Sequence, residues 1–217
     1  MRDVVLIGGR AVGRMLIYRL QDDPVWNIIC VIDDGLEQNH ICGIPVRTFD
    51  SYSFPCRLAL LALSSPADKR FYKARGEAIG LTFTTYIDRF AAVGKSCNVG
   101  KGAIIFPFAS VLIDGDLGEF TTLSSYAAVG NDARVGNYST LMNYASVRGA
   151  VIGEDAVLAT GAHILANATI GDGAWIGPGS LVRRPVPAYH FAGGNPARVR
   201  RLRDQNADRP ATCDEDQ

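Results

Sequence analysis

Two hydrophobic rhythms divide the chain. In the first, apolar residues come in short unbroken runs at 4–7, 28–32, 44–46 and 58–63, and such runs read as buried strands. Between them, Met15-Leu16-Ile17-Tyr18 with Leu20 predicts a helix that Pro24 ends, and residues 67–79 predict a second. A last strand at 83–87 closes the unit. Strands alternating with helices imply a small parallel α/β sheet of about 85 residues.

The second rhythm has a step of six. An aliphatic residue opens every step at Val93, Val99, Ile105, Val111, Leu117, Leu123, Val129, Val135, Leu141 and Val147. One step shortens to five, and the register resumes at Ile152, Leu158, Ile164, Ile170, Ile176 and Val182. A small residue usually sits four places on, as at Ala103, Ala127, Ala145, Ala162 and Ser180, and Gly often follows the aliphatic directly. A six-residue rung supplies one flat side of a prism with its aliphatic inward. Three rungs close a triangular turn of about 18 residues, and stacked turns pair as parallel strands. No rung buries its apolar face alone, so many are needed.

Composition narrows the classes. With 22 basic and 22 acidic side chains, charge drives neither nucleic-acid nor membrane-surface binding. Cys30, Cys42, Cys56, Cys97 and Cys213 are odd in number and lack metal-ligand spacing, which fits reduced thiols and no metal. No apolar run is long enough to span a bilayer and no signal region precedes the first strand, so a cytoplasmic location is expected.

The first strand ends in Gly8-Gly9-Arg10-Ala11-Val12-Gly13. Gly8 and Gly13 keep the outer spacing of a dinucleotide loop, but Arg10 occupies the place where a middle Gly lets the backbone approach a pyrophosphate. Asp33, at the end of the second strand, is placed to bind ribose or base. A half-sized sheet suits one nucleotide better than a complete NAD. A sugar nucleotide, NAD and a purely structural turn remain open on these residues alone.

Both halves together resemble the bacterial sugar-nucleotide acetyltransferases of the hexapeptide-repeat family, such as bacillosamine and perosamine N-acetyltransferases and sialic-acid-cluster O-acetyltransferases. The carriers are the Val-Val-Leu-Ile-Gly-Gly opening, Val31-Ile32-Asp33-Asp34, the hexads, and Val186-Pro187 followed by Gly194-Asn195-Pro196-Ala197-Arg198. The resemblance implies an α/β Rossmann-like domain at 1–88, a left-handed parallel β-helix at 89–202, and a disordered tail at 203–217. It also implies a cytoplasmic homotrimer with acetyl-CoA between neighbouring β-helices. Nucleotide-sugar contacts carry over to Gly8, Gly9, Arg10, Asp33, Asp34 and, more weakly, Ser64. Acyl-CoA contacts carry over to Thr140, Tyr144, Gly161 and Gly179, the two glycines through backbone amides.

The sequence departs from that pattern where the catalytic His belongs. Asn131 holds the His position and Asp132 the acid that would orient it; Thr140 replaces a second His, and Tyr144 replaces the Gly whose amide faces the acyl carbonyl. An amide is no general base near neutral pH. His163 falls two turns away, ~10 Å at the usual strand spacing, and His190 further still. Four readings follow: a His-to-Asn variant, an enzyme working without a protein base, a non-catalytic binding homologue, or a different acyl donor in a remodelled pocket. A hydroxyl must lose its proton during attack, whereas an amine of pKa near 8 is already about one-tenth neutral at pH 7. Loss of the base therefore favours N- over O-acylation. Acetyl transfer from acetyl-CoA to a nucleotide-linked amino sugar, in bacterial surface-glycan (lipopolysaccharide) synthesis, is the leading expectation, with a binding homologue and a sugar O-acetyltransferase as alternatives.

Overall fold

The computed structural model describes residues 1–21, 23–53 and 56–202; the expected tail at 203–217 lies outside the described residues. The first unit contains β1 (Arg2–Ile7), α1 (Ala11–Leu20), β2 (Trp26–Ile32), β3 (His40–Ile41), β4 (Ile44–Arg47), β5 (Leu58–Leu61), α2 (Pro66–Ala78) and β6 (Thr82–Phe83). Its sheet order is β3-β4-β2-β1-β5-β6. All pairings are parallel except β3 with β4, so the sheet is mixed rather than purely parallel. Alternation along β1 sends Val4 and Leu6 into one core cluster and Val5 and Ile7 into another, as a strand buried on both faces must. Ser65 caps α2 by accepting from the Asp68 N–H at 3.3 Å, with Pro66 following in the first turn.

The strand expected at 83–87 is divided between the two units. Thr82–Phe83 pairs with β5, whereas Tyr86–Ile87 pairs with Ile104–Ile105 and starts the solenoid one rung before Val93. From there two-residue strands stack on three faces. The first carries Tyr86, Ile104, Thr122, Thr140, Val157 and Trp175; the second carries Ala92, Ser110, Ala128, Ser146, His163 and Leu181; the third carries Asn98, Asp116, Arg134, Val151 and Thr169. The aliphatics that follow these residues point inward, and from Ile105 to Val182 none is more than 4% exposed. Corners turn through left-handed residues, including Tyr144, Asp132 and Tyr138, at φ between 57° and 61°. The single five-residue step falls at Arg148-Gly149-Ala150, between the second and third faces.

The α/β unit packs on the first face. There the outward residues are buried too: Ile104, Thr122 and Thr140 are each 1% exposed. α1 shares a core with Tyr86, Ile104 and Phe106, and Phe83 meets Phe120 edge-on at 5.4 Å. Three polar clamps fasten the junction. Arg19 pairs with the buried Asp88 at 2.8 Å, Lys69 reaches three oxygens of the solenoid, and Arg70 bridges Asp155 and Glu154 while covering the Tyr138 ring at 4.1 Å.

Candidate functional site

The glycine loop is built by close approach. Gly8 has φ +100°, and a Cβ on Gly13 would come within 2.0 Å of the Gly8 oxygen, so neither position admits a side chain. A Cβ on Gly9 would strike Leu36 and Ile41. The loop ends at Arg10, the exposed N-cap of α1, where no side chain caps the helix and no acid occupies the first turn. No capping side chain or first-turn acid thus competes for the positive end of the helix dipole, which favours an anion.

Asp33 faces this loop. Its carboxylate accepts from the Gly9 N–H at 2.8 Å and from the Gly35 N–H at 2.9 Å. Asp34 turns the other way, accepting from the Phe49 N–H at 2.9 Å and pairing with Arg75 of α2. The two adjacent acids therefore divide the work: Asp33 braces the loop from Gly8 to Arg10, and Asp34 anchors α2. Ser64 lies in the loop between β5 and α2, and its carbonyl accepts from the Thr140 hydroxyl at 2.8 Å.

Ser64 also lines a cavity of about 190 Å³ between the start of α2 and the first face, walled by Arg70, Met142, Asp155, Trp175 and Tyr189. A second groove, about 520 Å³, lies at the end of the solenoid beside Arg183, Arg184 and Arg198. Neither contains Asn131, Asp132 or Asp33. The predicted catalytic pair stands on an open corner between the second and third faces, both residues exposed, with Asp132 at φ 57° and its N–H donated to the Ile113 oxygen.

The expected acyl-donor residues separate. Thr140 is buried under α2, bonded to Lys69 and Ser64, and belongs to the junction between the units. Tyr144, Gly161 and Gly179 share the corner between the first and second faces, on three successive turns. The Gly161 N–H already donates to the Asn143 oxygen and the Gly179 N–H to the Thr160 oxygen, each at 2.9 Å, so those amides close corners instead of facing outward. What the glycines leave is room: a Cβ on Gly179 would meet nothing within 4 Å. Asn131 and this corner flank the second face from opposite sides, so one chain does not bring them together. His163, on that face, bonds Ser146 through Nδ1 at 2.7 Å, and His190 Nδ1 is 2.8 Å from the Ala188 oxygen.

Lys69 is the polar residue that the sequence reading missed. It is 1% exposed, and burial pushes its ammonium down to about 7 against the opposing pull of Asp155. Its helical position gave no signal beyond an ordinary amphipathic pattern. Burial likewise pushes the Cys30 thiol up to about 12, which removes it as a nucleophile. Among the described residues no group of three or more His, Cys, Asp or Glu is placed to hold a metal, and no helix is long and apolar enough to cross a membrane.

Comparison with known proteins follows the same division. Residues 149–184 match the bacterial transferase hexapeptide family, six repeats. A chloramphenicol acetyltransferase of Agrobacterium fabrum is 31% identical over 112 residues, 51% of each chain, so this chain spans about half the length of that curated relative. Over nearly the whole chain the fold is that of PerB from Caulobacter crescentus, solved with CoA and GDP-perosamine: TM-score 0.85, 22% identity, 92% of this chain and 98% of that one. A histidine-to-asparagine mutant of the perosamine N-acetyltransferase from the same organism, solved with the same ligands, superposes equally (TM-score 0.86, 23% identity, 92% and 97% covered). The solenoid is accordingly a left-handed parallel one.

Proposed function

We propose that this chain transfers an acyl group from a coenzyme A thioester, with acetyl-CoA the simplest donor, to the amine of a nucleotide-linked amino sugar in bacterial surface-glycan synthesis. The observation that carries this reading is the Asp33–Gly9 hydrogen bond. It holds a glycine loop and an uncapped helix start as an anion cradle, in a fold matched over 92% of its length by a CoA- and GDP-perosamine-bound protein. The unit from β1 to β6 acts as a Rossmann-like half-domain. The start of α1, behind the loop from Gly8 to Arg10, takes the diphosphate; Asp33 and Ser64 border the nucleotide and sugar, and Asp34 acts through its hold on α2. Residues 89–202 supply the acyl site.

Asn131 and the corner of Tyr144, Gly161 and Gly179 lie on opposite edges of the second face. A homotrimer unites them by placing one copy's Asn131 corner against the next copy's glycine corner. In that seam Asn131 donates or accepts a hydrogen bond but abstracts no proton. The neutral fraction of the amine attacks the thioester carbonyl, and rate comes from proximity and orientation.

The test is thioester consumption with a panel of nucleotide amino sugars at pH 7.5, together with light scattering. Turnover by a species about three times 23.3 kDa supports the reading, and a monomer that turns over removes the shared site. A second reading rests on Asn131 itself: a homologue that binds nucleotide sugar and CoA without chemistry. It predicts saturable binding of both and no consumption.

A further inference from the structure

Along the corner between the first and second faces, Phe90, Phe108, Tyr126 and Tyr144 occupy four successive turns. Their rings stack at 5.8, 5.0 and 4.9 Å with interplanar angles of 22°, 20° and 5°. They are 50, 53, 48 and 57% exposed. Phe108, Tyr126 and Tyr144 hold φ between 61° and 63°, a conformation in which Gly, Asn or Asp is the undemanding choice. Bulky rings kept in left-handed positions point toward a use for the rings themselves.

The corner between the third and first faces provides the contrast. Its aromatics, Phe120 and Tyr138, also have positive φ and stack at 5.3 Å, but the α/β unit covers them, and Phe120 is only 2% exposed. The first column has no such cover among the described residues. It also has a direction. At one end Arg19 and Arg89 sit over Phe90, at 5.4 and 4.9 Å from its centroid. At the other end the column stops at Tyr144, and the next two corners are the bare Gly161 and Gly179. A ligand lying along those glycines continues onto the ring of Tyr144 and then Tyr126.

We propose that this column is the wall for the acyl chain, and that the preferred donor is a coenzyme A thioester whose acyl group is larger and more apolar than acetyl, a medium-chain or aryl acyl group. The inference rests on the acyl-transfer reading above and specifies its donor. With the thiol end of the donor beside Tyr144, an acetyl group reaches no further ring, whereas a longer chain covers Tyr126 and Phe108. The chemistry is unchanged. The amine nitrogen forms a C–N bond to the thioester carbonyl and the C–S bond breaks. Coenzyme A leaves as its thiol, taking up the surplus amine proton.

The experiment compares kcat/KM for acetyl-, butyryl-, hexanoyl- and phenylacetyl-CoA with one accepted amino-sugar nucleotide, in the intact protein and in Phe108→Ser and Tyr126→Ser. Each methylene moved from water onto the rings is worth roughly fourfold. The intact protein is therefore expected to favour hexanoyl- over acetyl-CoA by at least tenfold, and each variant to reduce that ratio severalfold. A preference for acetyl-CoA, or a ratio unmoved by either substitution, overturns the proposal. This corner faces the next copy in the proposed trimer, so light scattering accompanies each assay; dissociation of the oligomer by both substitutions makes the rings packing between copies and not an acyl wall, and also overturns the proposal. If no thioester is consumed, the acyl-transfer reading falls. Calorimetry then still reads the column, which requires tighter binding of hexanoyl-CoA than of acetyl-CoA and loss of that difference in Tyr126→Ser.

Discussion

The Nζ of Lys69 lies 2.8 Å from the Thr140 hydroxyl and within 3.3 Å of the Tyr138 and Ser139 carbonyls, and the same hydroxyl donates to the Ser64 carbonyl at 2.8 Å. A helix of the α/β unit is thereby tied to a solenoid rung and to the loop that ends β5. Because Ser64 borders the proposed sugar site, this chain of bonds links that site to the solenoid.

Lys69→Met should keep the volume but leave the oxygens of that cage without their donor, at a cost of about 1–3 kcal/mol. Burial holds the ammonium down to about 7, whereas the unfolded chain keeps its proton to about 10.4. Between these values the unfolded state binds more protons, so stability should rise with pH from neutral toward pH 9. Urea unfolding at a series of pH values checks both points: the intact protein shows the slope and Lys69→Met lacks it. Equal slopes would remove Lys69 as its source.

Arg19 and Asp88 behave oppositely. Burial pushes the Asp88 carboxyl up, but Arg19, the Phe90 N–H and the Tyr86 hydroxyl together hold it below its ordinary value. A depressed carboxyl contributes stability above its unfolded pKa and loses it as pH falls through the folded one. Arg19→Leu should cost about 3 kcal/mol near pH 7, because it strands a charge that is 1% exposed, and should move the acid-unfolding midpoint upward. The acid limb of a circular-dichroism titration reports it.

Asp33→Asn keeps the shape of the brace but weakens acceptance from the Gly9 and Gly35 N–H groups. Nucleotide-sugar affinity is expected to fall about tenfold, the loss of one charge-assisted hydrogen bond, with coenzyme A affinity unchanged. Calorimetry with each ligand separates the two. Parallel loss of both would indicate general unfolding.

Asn131→His places an imidazole beside Asp132 on the open corner. With an accepted amino sugar, kcat/KM should rise on the order of 10²-fold, the low end of general-base effects. The increase should follow the imidazole through neutral pH. Unchanged or reduced turnover means that the amide holds substrate in place of a base.

The period of six by itself determined the solenoid. Every opening aliphatic from Ile105 to Val182 points inward because a rung has no other way to hide it, and the single five-residue step reappears as the shortened corner at Gly149. The glycine loop was legible for a similar reason: Gly8 and Gly13 touch, and the pattern of small residues records that contact. What the period could not say is which face is covered, since all three carry the same inward pattern. That information sits in the outward residues. Ile104, Thr122, Val157 and Trp175 line the covered face, whereas Ala92, Ser110 and Ser146 line a bare one.

Tertiary packing alone decided the rest. Thr140 became a junction residue because α2 lies over it, and Lys69 became buried because its rung partners surround it. Asp33 turned to Gly9, and Asp34 to Arg75, because adjacent residues on one loop meet different neighbours. Phe90, Phe108, Tyr126 and Tyr144 form one surface only because turns of about 18 residues stack them, each ring above the last, at strand spacing. Contacts between residues so far apart in sequence are made by the closure of the whole prism, and a local pattern does not record them.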